Sequence, residues 1–388
     1  MITKAIPYGH QHITEEDIRC VVETLRSDYL TQGPKIKEFE EAFAAYVGCT
    51  YAVAVNNATA GLHLATTVLD VRPGDKVIVT PMTFASSANC VRFRGGEVVF
   101  CDIDKDTYLM DINKVRQLLE NAPKGTYKGI VLVDFAGYPH DLEAFRALAD
   151  AYGLWIIEDA CHAPGGYFID SQGQRQYCGN GRFAETSVFS FHPVKHIATG
   201  EGGMVTTNSK EIYDKLCLYR THGTTKDPSR LHDTHQGGWY YEMQELGYNY
   251  RITDFQAALG ISQLKRADAG LVRRHVIADT YRKSFSGVKG ITLPYVSSQV
   301  YHAYHLFVIQ VEDRLGLYNY LHENKVYAQV HYIPLHLMPY YRQFGYKEGD
   351  LPVVEAYYKH CLSLPMYPTL TDEEQEYVIQ KVLEFLAQ

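Results

Sequence analysis

The sequence predicts an α/β fold in which a large, mostly parallel sheet domain wrapped by helices (residues 1–265, with an N-terminal arm) precedes a smaller C-terminal α+β domain (residues 266–388). Three observations carry that expectation. Short apolar, β-branched runs alternate with helical periods through the first half, the pattern of parallel strands joined by helical crossovers. A long helical stretch, "TDFQAALGISQLKRADAGLVRRHVIADTYRKSF", then bridges to a last third that mixes strand-like "AYHLFVIQV" with helices such as "RLGLYNYLHEN" and "DEEQEYVIQKVLEFLAQ". Finally, 388 residues with 46% hydrophobic content are enough to fill sizeable cores in both parts.

In chain order, "TEEDIRCVVETLRS" reads as a capped amphipathic helix with Thr14 at the N-cap and acids in its first turn. "KIKEFEEAFAAYVG" gives a second helix, stopped by Gly48. Strand and helix then alternate: "YAVAV" and "TAGLHLATTVL", "DKVIVT" and "ASSANCVRFR", "EVVFCD" and "DINKVRQLLEN", "GIVLVDFAG" and "DLEAFRALADAYG", then "LWIIEDA". Two stretches break the rhythm. "YFIDSQGQRQYCGNGR", from Tyr167, reads as a hairpin or mobile loop, and the charged, aromatic segment from Thr221 to Gly247 is long enough to be functional.

Composition removes several classes. Lys plus Arg total 37 against 45 Asp plus Glu, and no basic block stands out, so no nucleic-acid partner is expected. The start lacks an apolar signal core and no run of about 18 apolar residues occurs, which reads as a cytoplasmic chain with no membrane partner. The eight cysteines form no C-x-x-C pair and read as reduced thiols. The seventeen histidines include no H-E-x-x-H. The pairs His192 with His196 and His232 with His235 lack carboxylate or thiol companions, so no metal is expected.

In a sheet of this kind ligands bind beyond the carboxyl ends of the strands. After "YAVAV" comes "NNATAG", either an ordinary capped turn or a helix opening whose free amides receive a phosphate. After "LWIIE", Asp159 ends a buried strand and needs a cation or donors. The protonated ring nitrogen of pyridoxal phosphate would serve, as would a helix N-cap role. His162 either reaches the same ligand or fills space. After "TSVFS", Ser190 can offer its hydroxyl to a phosphate. Lys195, five residues on, is a solvated loop residue, a phosphate ligand or an amine held for Schiff-base chemistry. Phe84 in "TPMTFASSAN" is a core residue or a face for a flat ring. What favours the covalent reading is the combination: phosphate turn, strand-end acid and Ser-x4-Lys, in that order over one α/β domain.

Over nearly its whole length the sequence resembles the DegT/StrS sugar aminotransferases, within the fold-type I (aspartate aminotransferase-like) pyridoxal phosphate-dependent transferases. The motifs are "LTQGPKIKEFEEAFAAYVG", "NNATAGLHLA", "TPMTFASSAN", "EDACHA", "SFHPVKHIATGEGGMVTTN", "GYNYRITDFQAALG" and "HYIPLH". The resemblance implies pyridoxal 5'-phosphate bound covalently on Lys195, Asp159 on its pyridine nitrogen, His162 near its phenolic oxygen and Phe84 stacked on the ring. It implies a phosphate held by Ala58, Thr59, Ala60 and Ser190, with Asn249 reaching in from a second copy in a homodimer with shared active sites. "HPVK", "HGTTKD" and "HYIPLH" look most like the branch that uses L-glutamate to aminate C4 of a UDP-linked 4-keto-6-deoxy-N-acetylhexosamine in pseudaminic acid biosynthesis. In that branch Tyr8, Leu30, Thr31, Gln32, Gly33, His331, Tyr332, Ile333 and Pro334 would line the nucleotide-sugar site, together with Ala58, Ser190, Asn249 and Arg251. Arg251 and Arg220 are both candidates for the glutamate carboxylate. Two rivals are a sugar 3-dehydratase, in which histidine replaces the lysine, and a non-catalytic protein on the same fold. The retained Lys195 followed by His196 favours transamination with ping-pong kinetics.

Overall fold

A computed structural model describes residues 5–388; the first four residues of the N-terminal arm lie outside the described residues. A seven-stranded sheet organises the first half, in the order Tyr51–Val55, Gly203–Thr207, Thr186–Ser190, Trp155–Asp159, Tyr127–Val133, Lys76–Val79, Glu97–Phe100. All neighbours run parallel except Gly203–Thr207, which is antiparallel to both of its partners. The expected architecture is therefore present. The strands are apolar throughout because helices cover both faces and Val53, Val55, Ile78, Ile130, Ile157 and Val188 are fully buried.

Several helices start where the sequence offers an oxygen to cap them. Asn57 caps Ala58–Val68, Asp111 caps Ile112–Glu120 and Asp141 caps Leu142–Tyr152, each accepting a first-turn amide. Thr14 and Asp17 form a capping box on Glu15–Leu25. Gly48 ends Pro34–Val47 with φ 79°, a left-handed turn suited to glycine. Tyr51–Val55 is an edge strand, and its outward backbone groups at Ala54 are paired from the side. Glu40 Oε1 accepts the Ala54 amide at 2.9 Å and Arg220 Nη1 donates to the Ala54 carbonyl at 2.8 Å, while Glu40 and Arg220 also pair with each other.

The bridge resolves into two helices, Asp254–Leu264 and Ala267–Phe285. Beyond it, Ile291–Thr292, Phe307–Val311 and Cys361–Leu364 form an antiparallel sheet backed by Arg314–Glu323 and Asp372–Leu386. One feature departs from the expected division of the chain. Ile6–Pro7 pairs in parallel with Val326–Tyr327 and Ile6 is buried in this C-terminal core, so the N-terminal arm packs there and not on the large sheet. The stretch from Tyr167 is a hairpin, Tyr167–Ile169 with Arg175–Tyr177, extended by Val300–Tyr301. The segment 221–247 holds only the short pair Thr224–Thr225 and Glu242–Met243, and it leaves Trp239 76% and Leu246 81% exposed. Among the described residues no helix is long and apolar enough to cross a membrane.

Candidate active site

Asp159 ends a central strand flanked by Tyr127–Val133 and Thr186–Ser190, the latter leading into Lys195. Asp159 is buried; its carboxylate accepts hydrogen bonds from Ser87 Oγ at 2.6 Å and the Cys161 amide at 3.2 Å. Ser87 Oγ in turn lies 2.7 Å from Thr83 Oγ1. Among the described residues no ion pair reaches Asp159, so its donors are neutral. A buried carboxylate in that state is costly. It fits a cationic heterocycle nitrogen brought by a ligand.

Lys195 is half-buried, and its Nζ lies 3.5 Å from Nε2 of His305. Burial lowers the pKa of this amine against the opposing pull of Cys161 and Asp159, and the Arg274 charge adds to the lowering. The glycines of "TGEGG" have a steric reason. A Cβ on Gly203 would come within 2.7 Å of the Asn57 carbonyl carbon, and one on Gly202 within 2.3 Å of Thr199 Oγ1. Only glycine lets this strand start directly beneath the 57–58 turn.

His162 is buried, and its state can be argued from its neighbours. The Ala136 amide donates to Nδ1 at 3.2 Å, so Nδ1 carries the lone pair and the neutral ring keeps its proton on Nε2. Nε2 then donates to Tyr332 Oη at 3.2 Å. Burial, reinforced by Lys195 and by His331 and His196, holds the ring well below its usual pKa. Ala136 adopts φ 59°, a left-handed conformation costing about 1–2 kcal/mol for a residue with a Cβ, in the tight turn that presents its amide to His162.

The phosphate turn opens the Ala58–Val68 helix. The amides of Ala58 and Thr59 precede the helix's own hydrogen-bond ladder, whereas that of Ala60 is bound by Asn57 Oδ1 at 2.8 Å. Thr59 Oγ1 meets Ser86 Oγ at 3.1 Å, and Ser190 Oγ accepts the His192 amide at 3.4 Å. Phe84 is 64% exposed, so its ring is not a core residue and is open to a ligand.

Lys195, Asp159, His162, His331 and Tyr332 share one buried region, coupled by charge and contact. Tyr8 packs against His331 with its ring tilted by 57° and ring centroids 5.1 Å apart, and His331 Nδ1 meets Ser363 Oγ at 2.8 Å. Ile333 is exposed and Pro334 buried. Residues 30–33 are tied to the start of the 254–264 helix: the Gly33 amide donates to the Asp254 carboxylate at 2.8 Å and the Asp254 amide to Leu30 O at 3.0 Å, while Thr31 bridges Thr253 and Gln32 takes φ 57°. Asn249 is exposed and bridges Thr221 by its backbone, and Arg251 is half-buried. Among the described residues neither Leu30 to Gly33 nor Asn249 nor Arg251 hydrogen-bonds to Lys195, Asp159 or His162. Arg220 is committed to Glu40 and Ala54 and is not free for a substrate carboxylate. Residue-level reading passed over Ser87 and His305. Ser87 stands in the same "TPMTFASSAN" stretch as Phe84, and His305 is a polar residue inside the apolar "AYHLFVIQV".

Side chains alternate along a strand, so Glu158 faces away from Asp159. It meets Asp134 and Cys178, their ligand-type atoms within 4.8 Å of one another and all three residues buried. Glu158 Oε2 accepts from Gly179 N and Ser187 Oγ, and Asp134 Oδ1 accepts from His140. Burial pushes the Asp134 carboxyl up to about 7 and raises Glu158 well above its usual value, the Asp134 charge adding to the rise at Glu158.

Strand-end acid, half-buried lysine and helix-opening turn on this fold define a pyridoxal phosphate-dependent aminotransferase. Residues 11–383 match the DegT/DnrJ/EryC1/StrS aminotransferase family, and the chain belongs to that family. It is 40% identical over 389 residues to the spore coat polysaccharide biosynthesis protein SpsC of Bacillus subtilis, covering 98% of this chain and 97% of that one. It is 34% identical over 387 residues to the UDP-4-amino-4,6-dideoxy-N-acetyl-beta-L-altrosamine transaminase of Campylobacter jejuni, with 98% and 97% covered. Among solved structures it resembles the putative sugar aminotransferase Spr1654 of Streptococcus pneumoniae in its PMP form (TM-score 0.89, 31% identity, 98% and 99% covered). It also resembles Helicobacter pylori PseC, an aminotransferase of pseudaminic acid biosynthesis (TM-score 0.88, 30% identity, 99% and 100% covered). The chain is a sugar aminotransferase that uses pyridoxal phosphate, so the non-catalytic reading falls.

Proposed function

We propose that this enzyme moves an amino group from L-glutamate to C4 of a UDP-linked 4-keto-6-deoxy-N-acetylhexosamine, the amination step of a pseudaminic acid-type route. The supporting observation is the near full-length similarity to the Campylobacter jejuni transaminase, together with a site that keeps its lysine and strand-end acid.

When bound, pyridoxal phosphate supplies an aldehyde for the amine and a ring that accepts the electrons of a carbanion. The chain's residues do the rest. Asp159, which accepts from Ser87 and the Cys161 amide, would hold the ring nitrogen protonated. Lys195 Nζ would anchor the cofactor and, once released by the amino donor, move the proton from the donor Cα, a task worth about 10²–10⁴-fold in rate. His162, a neutral donor through Nε2, would face the phenolic oxygen, Phe84 would cover the ring, and Ala58, Thr59, Ala60 and Ser190 would hold the phosphate. Tyr8, Leu30 to Gly33 and His331 to Pro334 would bind the nucleotide sugar. Arg251, with Arg220 committed elsewhere, is the remaining candidate for the glutamate carboxylate.

We further propose a homodimer in which Asn249 completes the neighbouring copy's site. The exposed apolar side chains Trp239, Met243 and Leu246 near it are the surface that a second copy would cover. We also propose two units divided near residue 265. A second reading of the acceptor, another keto sugar destined for a surface polysaccharide, draws on the similarity to SpsC. A panel of UDP- and dTDP-linked keto sugars assayed with glutamate decides between them. Turnover of the UDP-linked 4-keto-N-acetyl sugar supports the first reading, and turnover confined to dTDP sugars overturns it.

A further inference from the structure

In the proposed mechanism Lys195 is nucleophile and base, yet something must hold its nitrogen while it is not bonded to the cofactor. Among the described residues, the only hydrogen bond to Nζ is the 3.5 Å contact with His305 Nε2. His305 is 4% exposed and precedes the Phe307–Val311 strand, outside every motif that carries the family resemblance. Its Nδ1 is buried without a partner. Native structures rarely leave such an atom unpaired, and each exception calls for a physical reason.

We propose that His305 is a positioning residue that holds Lys195 Nζ during the proton-transfer step. A neutral amine has two N–H bonds and one lone pair. When Nε2 accepts one N–H, rotation about the Cε–Nζ bond stops and the lone pair points away from His305, ready to take the Cα proton of the amino donor. The resulting ammonium has three N–H bonds and no lone pair, so the contact persists only if Nε2 still accepts. That places the ring proton on Nδ1, the orphaned atom, and the ammonium later returns its proton with His305 unchanged.

The surroundings keep His305 in that role. His162 lies against it with ring centroids 4.3 Å apart, and His196 is 5.8 Å away with its Nε2 2.8 Å from the Ala303 carbonyl. From the 267–285 helix, the buried Arg274 donates to the carbonyls of Tyr304 at 3.0 Å, His305 at 3.4 Å and Met366 at 3.0 Å, and it has no carboxylate partner among the described residues. The guanidinium thus anchors the backbone of His305 and discourages a second proton nearby. Cys161 and Asp159 act on the Lys195 amine itself, where they oppose the lowering by burial and Arg274. Burial, Lys195 and the neighbouring histidines hold His305 neutral.

The inference rests on the aminotransferase assignment and not on the sugar. Its first test needs neither donor nor acceptor: acylate the cofactor-free protein across a pH series and map Lys195 by peptide mass. Loss of the acceptor in His305→Leu destabilises the ammonium, so the labelling midpoint is expected to move to lower pH by about one unit, and His305→Gln is expected to restore it. In the holoenzyme, His305→Leu is expected to slow the half-reaction with glutamate about tenfold and to raise the deuterium isotope effect with Cα-deuterated glutamate, with cofactor content unchanged. Should His305→Leu not fold, His305→Asn, polar but too short to reach Nζ, carries the same expectations. An unchanged labelling midpoint with an unchanged isotope effect overturns the proposal. So does equal loss of cofactor in the Leu and Gln variants, the mark of a purely structural role.

Discussion

Asp159 is a buried carboxylate whose two intramolecular donors, Ser87 and the Cys161 amide, are neutral. That incompleteness is the chemical content of the position: in the proposed mechanism the missing cation would arrive with the cofactor. Asp159→Asn keeps the shape and removes the charge that would hold the ring nitrogen protonated. It is expected to slow the glutamate half-reaction about 10²–10³-fold while cofactor still binds, as single-turnover absorbance would measure. A near-wild-type rate would mean that the acid only caps its loop. Lys195, Asp159, Ser190 and Phe84 are legible in sequence because each follows a strand in a motif of fixed chain order. Ser87 and His305 are not, because their partners lie 72 and 110 residues away and only the folded sheet brings them together. His162 is legible as a site residue, but its tautomer is not, because that depends on an amide in another loop.

Among the elements, the strands and their intervening helices follow from the alternation of apolar runs with capped helical periods, since both signals are local. What sequence leaves open is how edges and ends are finished. Tyr51–Val55 sits at the sheet edge, where Ala54 would expose an unpaired amide and carbonyl were it not for Glu40 and Arg220. The helical period sets Glu40 on the buried face with Ile36, Phe39, Phe43 and Val47, but nothing in "KIKEFEEAFAAYVG" names its partner Arg220, 180 residues away. Glu40→Ala strands a buried guanidinium and an edge amide. The expected cost is about 3–5 kcal/mol, measured by urea unfolding of the holoenzyme against wild type; a loss below about 1 kcal/mol would place the pair among weak surface bridges. The N-terminal arm was equally illegible, because a two-residue strand carries no period and Ile6 finds its partner at Val326.

For the molecule as a whole, the buried acids between the central strands tie stability to pH. Asp134, raised to about 7 by burial, keeps a proton in the fold that the unfolded chain releases near its ordinary value of about 3.9. Between those values the folded chain binds more protons, so this contribution is full at low pH and is lost as pH rises through about 7. Asp134→Asn retains the acceptor for His140 and removes the titration. Its stability relative to wild type is therefore expected to improve from about pH 5 to about pH 8 in thermal unfolding at constant salt, and a pH-independent difference would contradict the raised pKa of Asp134. Fold, site and family meet at one bond, between the cofactor and the side chain of Lys195. The direct measurement is borohydride reduction of the purified holoenzyme followed by peptide mass mapping. A reduced pyridoxyl adduct on Lys195, absent from Lys195→Ala, is expected; an adduct on any other lysine, or none, would contradict the assignment of the site.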